Sequence, residues 1–337
     1  MPRIALDAMG GDHAPAATVA GALLALADLP AGSRLQLVGK DEVIRAELER
    51  QGHASALHGG CLEIVGASQV IEMSDKPSAA VKGKRDSSMV VGLRLQAEGA
   101  SDAFVSAGNT GAQMAASMLV LRLHEGLTRP AITTLLPTDR GVPLVMLDSG
   151  ANVDCSPQEL LQFARLGAVY AEDILGRQRP AIGLLSVGEE PEKGSLAVKE
   201  AHHLIAKSGL NFVGNVEGRD LPHGRCGHSD IDVVVCDGFT GNVVLKFYEA
   251  VAPMIFGLLM RNGAPRSAVD AVMHAFDYAQ YGGAPLLGVK GVSIICHGKS
   301  SAEAIKNAIK VASLAVEHGM TAHIGKSVRV TPLEAAP

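Results

Sequence analysis

The chain has 337 residues, of which 47% are hydrophobic and 19% charged, so it can bury a core and is not expected to be disordered. Its formal net charge of −5 and the lack of a long basic run argue against broad nucleic-acid binding. Five scattered cysteines without a C-x-x-C pair predict reduced, buried thiols in a cytosolic protein, and Asp7 and Asp12 interrupt the stretch that a signal peptide would need.

Short apolar runs alternate with helical patterns along the chain. The predicted strands are Ile4–Leu6, Leu35–Val38, Ala103–Val105, Leu144–Leu147, Ile182–Leu185, Val233–Val235 and Val292–Ile295. Helices are predicted near Ala16–Ala27 and Asp41–Gln51 and after Asn109. Strands that are apolar on both faces and separated by helices predict an α/β fold with a largely parallel sheet covered on both sides.

Two helix starts carry capping signals. Ser156-Pro157-Gln158-Glu159 has a capping serine, a proline in the first turn and a glutamate three residues on, and Ser300 to Glu303 repeats this spacing without proline. No internal repeat, low-complexity tract or linker interrupts the chain. Residues 1–330 are therefore predicted to form a single α/β catalytic domain, or two lobes that share a core, followed by a frayed tail at 331–337.

Glycine and small polar residues fill the loops after five of the predicted strands. In open parallel sheets ligands bind at the carboxyl ends of strands, where glycine N–H groups and helix N-termini form anion sites. The candidate substrate-binding residues are Asp7, Gly10, Gly11, His13, Ser106, Gly108, Asn109, Thr110, Gly111, Asp148, Asn152, Glu189, Asp237, Gly238, Thr240 and Gly241. Structural roles remain open: Asp148 and Asp237 could equally cap helices or fix turns, and His13 could be a hydrogen-bonded structural histidine.

Motifs of other enzyme classes are incomplete. Gly325-Lys326-Ser327 and Gly298-Lys299-Ser300 both lack the P-loop glycine five residues earlier. The first strand is not followed by G-x-G-x-x-G, and neither G-x-S-x-G nor H-E-x-x-H occurs. The sequence therefore predicts no metal site and no nicotinamide fingerprint.

At these same loops the sequence closely resembles the phosphate acyltransferase (PlsX) family. The matching segments spread in order over nearly the whole chain: Ile4–His13, Val70–Met73 with Lys76-Pro77, Asp86–Met89, Ser106–Ala112, Leu147–Cys155, Gly188–Gly194, Asn211–Asp220, Val233–Asn242, Asp277–Leu287 and Ala304–Ala308. The resemblance implies a homodimeric three-layer α/β/α fold, similar to the isocitrate and isopropylmalate dehydrogenases and to phosphotransacetylase, without a cofactor.

The resemblance also implies a reaction: transfer of a fatty acyl group from acyl carrier protein to inorganic phosphate, giving an acyl phosphate for phospholipid synthesis. It implies that Lys193 and Asn242 are catalytic. The residue types agree, because phosphate is itself a nucleophile and the protein need only position reactants and stabilise an oxyanion. As an alternative, Lys193 is a solvated lysine at a helix start, although the helix dipole disfavours a cation there.

Three other functions remain as alternatives. The first is a phosphotransacetylase-type enzyme that uses acyl-CoA and shares the chemistry but not the carrier. The second is a dehydrogenase of the same broad fold, against which the missing dinucleotide fingerprint argues. The third is an inactive phosphate-binding module, against which the intact polar loops argue.

Two surface regions are predicted to contact partners. The basic cluster Lys82, Lys84 and Arg85 is a candidate docking patch for the acidic carrier protein, with a solvated surface as the alternative. The resemblance also implies a membrane-touching helical hairpin, which in this chain lies at about 245–277. It contains the apolar run Ala250–Met260, which Pro253 is expected to break. Its Phe256–Met260 tip is predicted to touch the inner face of the membrane weakly, or to pack in the dimer interface, on an otherwise cytoplasmic protein.

Overall fold

The apolar runs form the buried strands of two sheets, and the chain divides into two structural units. The computed structural model describes residues 1–275 and 281–329, and for residues 268, 271, 274 and 275 it describes the backbone alone. One unit comprises residues 1–130 and 281–329, and the other comprises residues 131–275. The predicted α/β class with largely parallel sheets is confirmed, although the chain forms two such sheets.

In the first unit, six strands lie side by side. Its elements are β1 (Arg3–Asp7), α1 (Ala16–Leu26), β2 (Arg34–Gly39), α2 (Asp41–Arg50), β3 (Leu62–Gly66), α3 (Pro77–Gly83), α4 (Ser88–Ala97), β4 (Ala103–Ser106), α5 (Thr110–Val120), β13 (Ala284–Leu287), β14 (Val292–Ile295), α10 (Ala302–Glu317) and α11 (Met320–Ser327). The strand order is β3-β2-β1-β4-β14-β13, parallel except for β13. Helices α4 and α10 pack on the central strands, and α1 packs along α10.

The second unit is built around a five-stranded sheet. Its elements are β5 (Ala131–Ile132), β6 (Thr134–Leu136), β7 (Leu144–Leu147), α6 (Pro157–Asp173), β8 (Ile182–Leu185), α7 (Leu196–Ala206), β9 (Phe212–Val216), β10 (Arg225–Cys226), β11 (Ser229–Asp230), β12 (Val233–Val235), α8 (Gly238–Arg261) and α9 (Arg266–Ala275). The sheet order is β6-β7-β12-β8-β9, parallel except for β6. Helix α6 packs on β7 and β12, and its buried apolar residues contribute to the core.

Capping at the helix starts follows the sequence with one correction. Ser156 forms the predicted capping box, since its hydroxyl accepts from the Glu159 N–H and the Glu159 carboxylate accepts from the Ser156 N–H. The predicted cap at Ser300 is wrong by one residue. Ser301 is extended, and its hydroxyl accepts from the Ala304 N–H at 3.2 Å, so it is the N-cap of α10.

The predicted break at Pro253 is also wrong, because α8 runs through it from Gly238 to Arg261. A proline inside a helix removes one hydrogen bond, and here the apolar run continues as helix on both sides. Asn242 and the apolar run therefore belong to one helix. Phe276 and Asp277, in the predicted hairpin, and the predicted tail at 331–337 lie outside the described residues.

Candidate active site

A buried carboxylate organises the loops at the end of β1 and β4 in the first unit. Asp7 is 2% exposed, and its Oδ2 accepts from the Ser106 hydroxyl at 2.7 Å. Ser106 in turn accepts from the Gly108 N–H at 3.0 Å. Burial raises the pKa of Asp7, and its hydrogen bonds oppose that shift. A Cβ on Gly10 would lie 2.6 Å from Asp7 Oδ2, so only glycine fits against this carboxylate.

Asn109 and Gly111 hold the start of α5 in place. Asn109 is the N-cap, since its Oδ1 accepts from the Ala112 N–H at 3.0 Å, while its Nδ2 donates to the Met73 carbonyl at 3.0 Å. A Cβ on Gly111 would lie 2.8 Å from Pro77 Cγ, so this glycine lets α3 approach. Both predicted substrate residues therefore have defined structural contacts.

The remaining predicted residues of the first unit lie at its surface. His13 and Thr110 are exposed, and Gly11 adopts a φ of 110°, a conformation that favours glycine. The loop before α10 contacts the loop after β1, because the Asp12 N–H donates to the Gly298 carbonyl at 2.7 Å. Gly298 belongs to an incomplete P-loop motif, and the sequence contains no motif that links it to the Asp12 loop.

In the second unit, Asp148 plays the same organising part at the end of β7. It is fully buried, and its Oδ1 accepts from the N–H groups of Ile132 and Ala151, each at 3.0 Å. Its Oδ2 accepts from the Asn152 N–H at 2.7 Å and the Asn152 side-chain amide at 2.8 Å. Burial raises the pKa of Asp148, and these hydrogen bonds oppose the shift. These hydrogen bonds therefore hold the loop after β7 around the Asp148 carboxylate.

The first turn of α8 packs against this loop through two glycines. A Cβ on Gly238 would lie 2.6 Å from Asp148 Oδ2, and a Cβ on Gly241 would overlap the Asp148 carbonyl oxygen. The Gly238 N–H donates to the Asn152 carbonyl at 2.7 Å. Close approach of α8 to the β7 loop therefore requires glycine at both positions.

Asp237 caps α8. Its Oδ1 accepts from the Thr240 N–H and its Oδ2 from the Thr240 hydroxyl, both at 2.8 Å. This arrangement places a negative charge at the positive end of α8. The capping role that the sequence left open for Asp237 is therefore present in the structure.

Asn242, predicted to be catalytic, is exposed in the second turn of α8. Its side chain lies against Gly150, where a Cβ would be 3.5 Å from Asn242 Oδ1. Gly150 has a φ of 130° and donates its N–H to Asp148 Oδ1 at 3.2 Å. The Asp148 loop and Asn242 thus share one surface.

Lys193 lies on the glycine loop that leads into α7. A Cβ on Gly188 would lie 2.9 Å from Lys193 Cγ, so Gly188 makes room for the lysine stem. The Lys193 ammonium is exposed and forms no ion pair within the described part of the chain. The first turn of α7 contains no acidic residue, and Ser195 caps it by accepting from the Val198 N–H at 3.3 Å. Lys193 and the N-terminal end of α7 are both positive there, although the same loop also carries Glu190 and Glu192.

Glu189, predicted to bind substrate, forms an ion pair with Arg219. Its Oε1 accepts from Arg219 at 3.2 Å. Glu189, Asp220 and Cys226 bring three ligand-type atoms within 4.8 Å of one another. The Arg219 guanidinium already contacts Glu189 there, so a cation would have to compete with it.

A cavity of about 500 Å³ lies beside these loops in the second unit. Its wall includes Ser195 and Val198 of the α7 start and Phe239 and Thr240 of the α8 start. Leu160 of α6, only 2% exposed, also lines it. Each side of the cavity therefore comes from a loop that carries a predicted catalytic residue, two positions away from Lys193 and from Asn242.

The thiols in this region are neutral at physiological pH. Cys155 lines the cavity, and burial raises its pKa to about 12. Burial also raises the pKa of Cys236 well above its usual value. Only the thiolate is a good nucleophile, so neither group is prepared for attack. The expectation that all five cysteines are buried is wrong for Cys61, which is exposed, and for Cys155 and Cys226, which are half-buried.

The predicted docking cluster separates into two kinds of residue. Lys84 Nζ donates to the Val70 carbonyl at 2.8 Å and to Asp75 Oδ2 at 2.6 Å. This ion pair lowers the pKa of Asp75 and holds the segment before α3. Lys82 and Arg85 have exposed side chains. The structure thus leaves those two cations facing solvent.

Comparison with known proteins shows the family to which the chain belongs. Residues 2–323 match the family described as "Fatty acid synthesis protein". A phosphate acyltransferase from Desulforamulus reducens is 48% identical over 338 residues, covering 97% of this chain and 98% of the relative. One from Pelotomaculum thermopropionicum is 46% identical over 346 residues, covering 99% and 97%.

A solved structure shows the same fold at low identity. A phosphotransacetylase from Streptococcus pyogenes superimposes with a TM-score of 0.66 at 18% identity, over 94% of each chain. This likeness concerns the fold alone. The relatives, which match nearly end to end at high identity, carry the assignment. The chain therefore belongs to the fatty acid synthesis protein family, among its phosphate acyltransferases, and it is an acyltransferase.

Proposed function

We propose that this acyltransferase moves a fatty acyl group from acyl carrier protein to inorganic phosphate, giving an acyl phosphate for phospholipid synthesis. The observation that carries the proposal is the Lys193 loop. An exposed ammonium without an ion pair among the described residues precedes a helix N-terminus that has no acid in its first turn. Phosphate binds at such positions because both the ammonium and the helix end attract anions.

The proposed reaction is direct attack. A phosphate oxygen adds to the thioester carbonyl carbon, and the negative charge moves to the carbonyl oxygen. As the carbonyl re-forms, the carbon–sulfur bond breaks, and the thiolate of the carrier leaves and takes the proton that the attacking hydrogen phosphate gives up. In this proposal Asn242 donates its amide N–H to the oxyanion, and Lys193 holds the phosphate. The neutral thiol of Cys155 supports a mechanism without an acyl-enzyme.

The central experiment mixes purified protein, long-chain acyl carrier protein and phosphate, and traps acyl phosphate as hydroxamate with hydroxylamine. We expect thioester loss that requires phosphate and no added metal ion, and Cys155→Ala should remain active. An acyl group trapped on a side chain would falsify direct attack. Equal saturation by acyl-CoA would instead favour the phosphotransacetylase-type alternative.

Carrier docking is proposed at Lys82 and Arg85. Charge complementarity speeds encounter with an acidic partner and is screened by salt. Lys82→Glu with Arg85→Glu should raise the KM for the carrier several-fold at low salt, with little change at high salt. The control is Lys40→Glu, which reverses the charge of an exposed side chain in the same unit. An unchanged KM at low salt would show that these two residues do not bind the carrier protein.

A homodimer is proposed, and the apolar Phe256–Met260 tip of α8 is proposed either to contact the membrane weakly or to pack in the dimer interface. Leu258 is 45% exposed and Leu259 38% exposed in the single chain. In the described residues, α8 is the one helix long and apolar enough to cross a membrane, judged by length and composition. The ion pair of Lys246 with Glu249 within it is more typical of a surface helix.

Leu258→Asp with Leu259→Asp should abolish cosedimentation with anionic vesicles, because burying two carboxylates in lipid is costly. The same substitution at Leu196, which is 84% exposed on α7, is the matched control. Unchanged vesicle binding would show that the contact lies elsewhere. A shift from dimer to monomer in light scattering would place these leucines in the dimer interface.

A further inference from the structure

The loop that carries Lys193 is a tight turn fastened at one backbone carbonyl. The Lys193 N–H donates to the Glu190 carbonyl at 3.0 Å. This bond closes a β-turn with Pro191 at its second position, where the fixed φ of proline is favoured. The side-chain amide of Asn215, on β9, donates to the same carbonyl at 2.8 Å. A carbonyl oxygen has two lone pairs and accepts both bonds, so Asn215 ties the Lys193 turn to the sheet.

A β-bulge aims the Asn215 side chain. On β8, Ile182 pairs with Phe212. Two residues later, Leu184 pairs with Asn215, so β9 contains one extra residue in this interval. In a regular strand, residues three apart point to opposite faces, and the extra residue brings Phe212 and Asn215 to the same face. Both contact His202 of α7: the His202 and Phe212 ring centroids are 5.0 Å apart, and His202 Nδ1 lies 3.0 Å from Asn215 Oδ1.

The two hydrogen bonds of Asn215 fix the orientation of its amide. The Glu190 carbonyl can only accept, so the Asn215 NH2 group faces it and Oδ1 faces His202. Since Oδ1 also only accepts, His202 Nδ1 carries the proton and donates. A flipped amide would place Oδ1 against the Glu190 carbonyl, two acceptors without a proton between them. Asn215 is 2% exposed, so water does not replace the bond that would be lost.

We propose that Asn215 is a positioning residue for Lys193 and that His202 holds its amide in the required orientation. The inference rests on the proposed function, in which Lys193 binds phosphate, and deepens it. A lysine side chain has a flexible four-carbon stem, so the place of its ammonium depends on where its backbone is held. A misplacement of about 1 Å can lower a rate by about a hundredfold. Loss of the Asn215 bond should therefore affect the use of phosphate and not the binding of the acyl donor.

The first test is the kinetics of Asn215→Asp, which removes the amide donor and keeps an acceptor. The phosphate KM should rise and kcat should fall, each by about tenfold, with the donor KM unchanged. In a Lys193→Ala background the same substitution should have no further effect, because Asn215 acts through Lys193. Asn211→Asp is the matched control: its amide donates to the Arg179 carbonyl at 3.0 Å, away from this turn, and its kinetics should equal wild type.

Substitutions of His202 test the other hydrogen bond of Asn215. His202→Asn keeps an N–H close to the place of Nδ1 and should hold the phosphate KM within about twofold of wild type. His202→Leu removes the donor and should match Asn215→Asp. If Asn215→Asp does not fold, this pair of variants carries the same test. An equal loss in both His202 variants, or wild-type kinetics in both, would overturn the inference.

Amide hydrogen exchange separates the inference from the proposed function. In the folded protein without substrates, Asn215→Asp should speed exchange in residues 188–194 by about tenfold and leave α7 unchanged. Unchanged exchange in that loop, an equal rise in the donor KM, or a full additional loss in the Lys193→Ala background would each contradict the positioning role. If wild type never forms acyl phosphate, the proposed function fails, and the exchange result alone decides whether Asn215 holds the Lys193 turn.

Discussion

Alanine at Lys193 or at Asn242 is expected to lower kcat for acyl-phosphate formation by about a hundredfold or more. One oxyanion donor is worth about 3–4 kcal/mol in the transition state, and a tenfold rate change corresponds to about 1.4 kcal/mol. Both side chains are exposed on loops or helix starts that other residues hold in place, so their loss should leave the fold intact.

The two variants should differ in their kinetic pattern. Asn242→Ala should lower kcat with little change in either KM, because the oxyanion exists only in the transition state. Lys193→Ala should also raise the phosphate KM, and Lys193→Arg should restore part of the binding. Lys207→Ala at the end of α7 and Asn262→Ala at the end of α8 are the matched controls. Near-normal turnover in a folded variant would remove that residue from the mechanism.

Alanine at Gly241 is expected to cause the largest loss of stability. The added Cβ would overlap the Asp148 carbonyl oxygen, and neither α8 nor the buried β7 loop can yield without breaking the Asp148 hydrogen bonds. Overpacking typically costs about 1–3 kcal/mol, and backbone resistance places this substitution at or above the upper end. Thermal unfolding followed by circular dichroism measures the change.

The control for this substitution lies in the same helix. Gly257 is also inside α8, and a Cβ there would meet nothing within 4 Å. Gly257→Ala should keep or slightly raise the melting temperature, because alanine favours helix by up to about 1 kcal/mol over glycine. Equal melting temperatures for the two variants would mean that the contact with Asp148 is not a packing constraint.

Much of the fold could be predicted because burial on both faces leaves a continuous apolar run. Val233–Val235 and Leu144–Leu147 were recognisable for this reason, and both are central strands. The strand β9 (Phe212–Val216) was missed because glycine and asparagine interrupt it at the edge of the sheet. The boundary near residue 130 was not visible either, since the strands on both sides of it have the same composition.

The candidate site was predictable in location but only partly in role. Glycine loops after strands marked Asp7 and Asp148, yet a sequence cannot show that a carboxylate is buried and bonded by its own loop. Ser186 illustrates a different limit. Its hydroxyl is buried without a hydrogen-bond partner in the described chain and lies 2.8 Å from the place of a Gly194 Cβ. That property depends on packing, which no spacing rule reveals.

The continuity of α8 ties the angular position of its exposed tip to that of Asn242. A helix advances about 1.5 Å and turns about 100° per residue, so Met260 lies roughly 27 Å along the axis from Asn242. Inserting one residue anywhere between them would swing Leu258 and Leu259 by about 100° around the axis, while Gly238 and Gly241 kept the other end fixed on the β7 loop. The tip therefore keeps a fixed angle around the helix axis relative to Asn242, the proposed oxyanion donor. Insertions or deletions of one residue in this helix should be harder to accommodate than changes in its side chains.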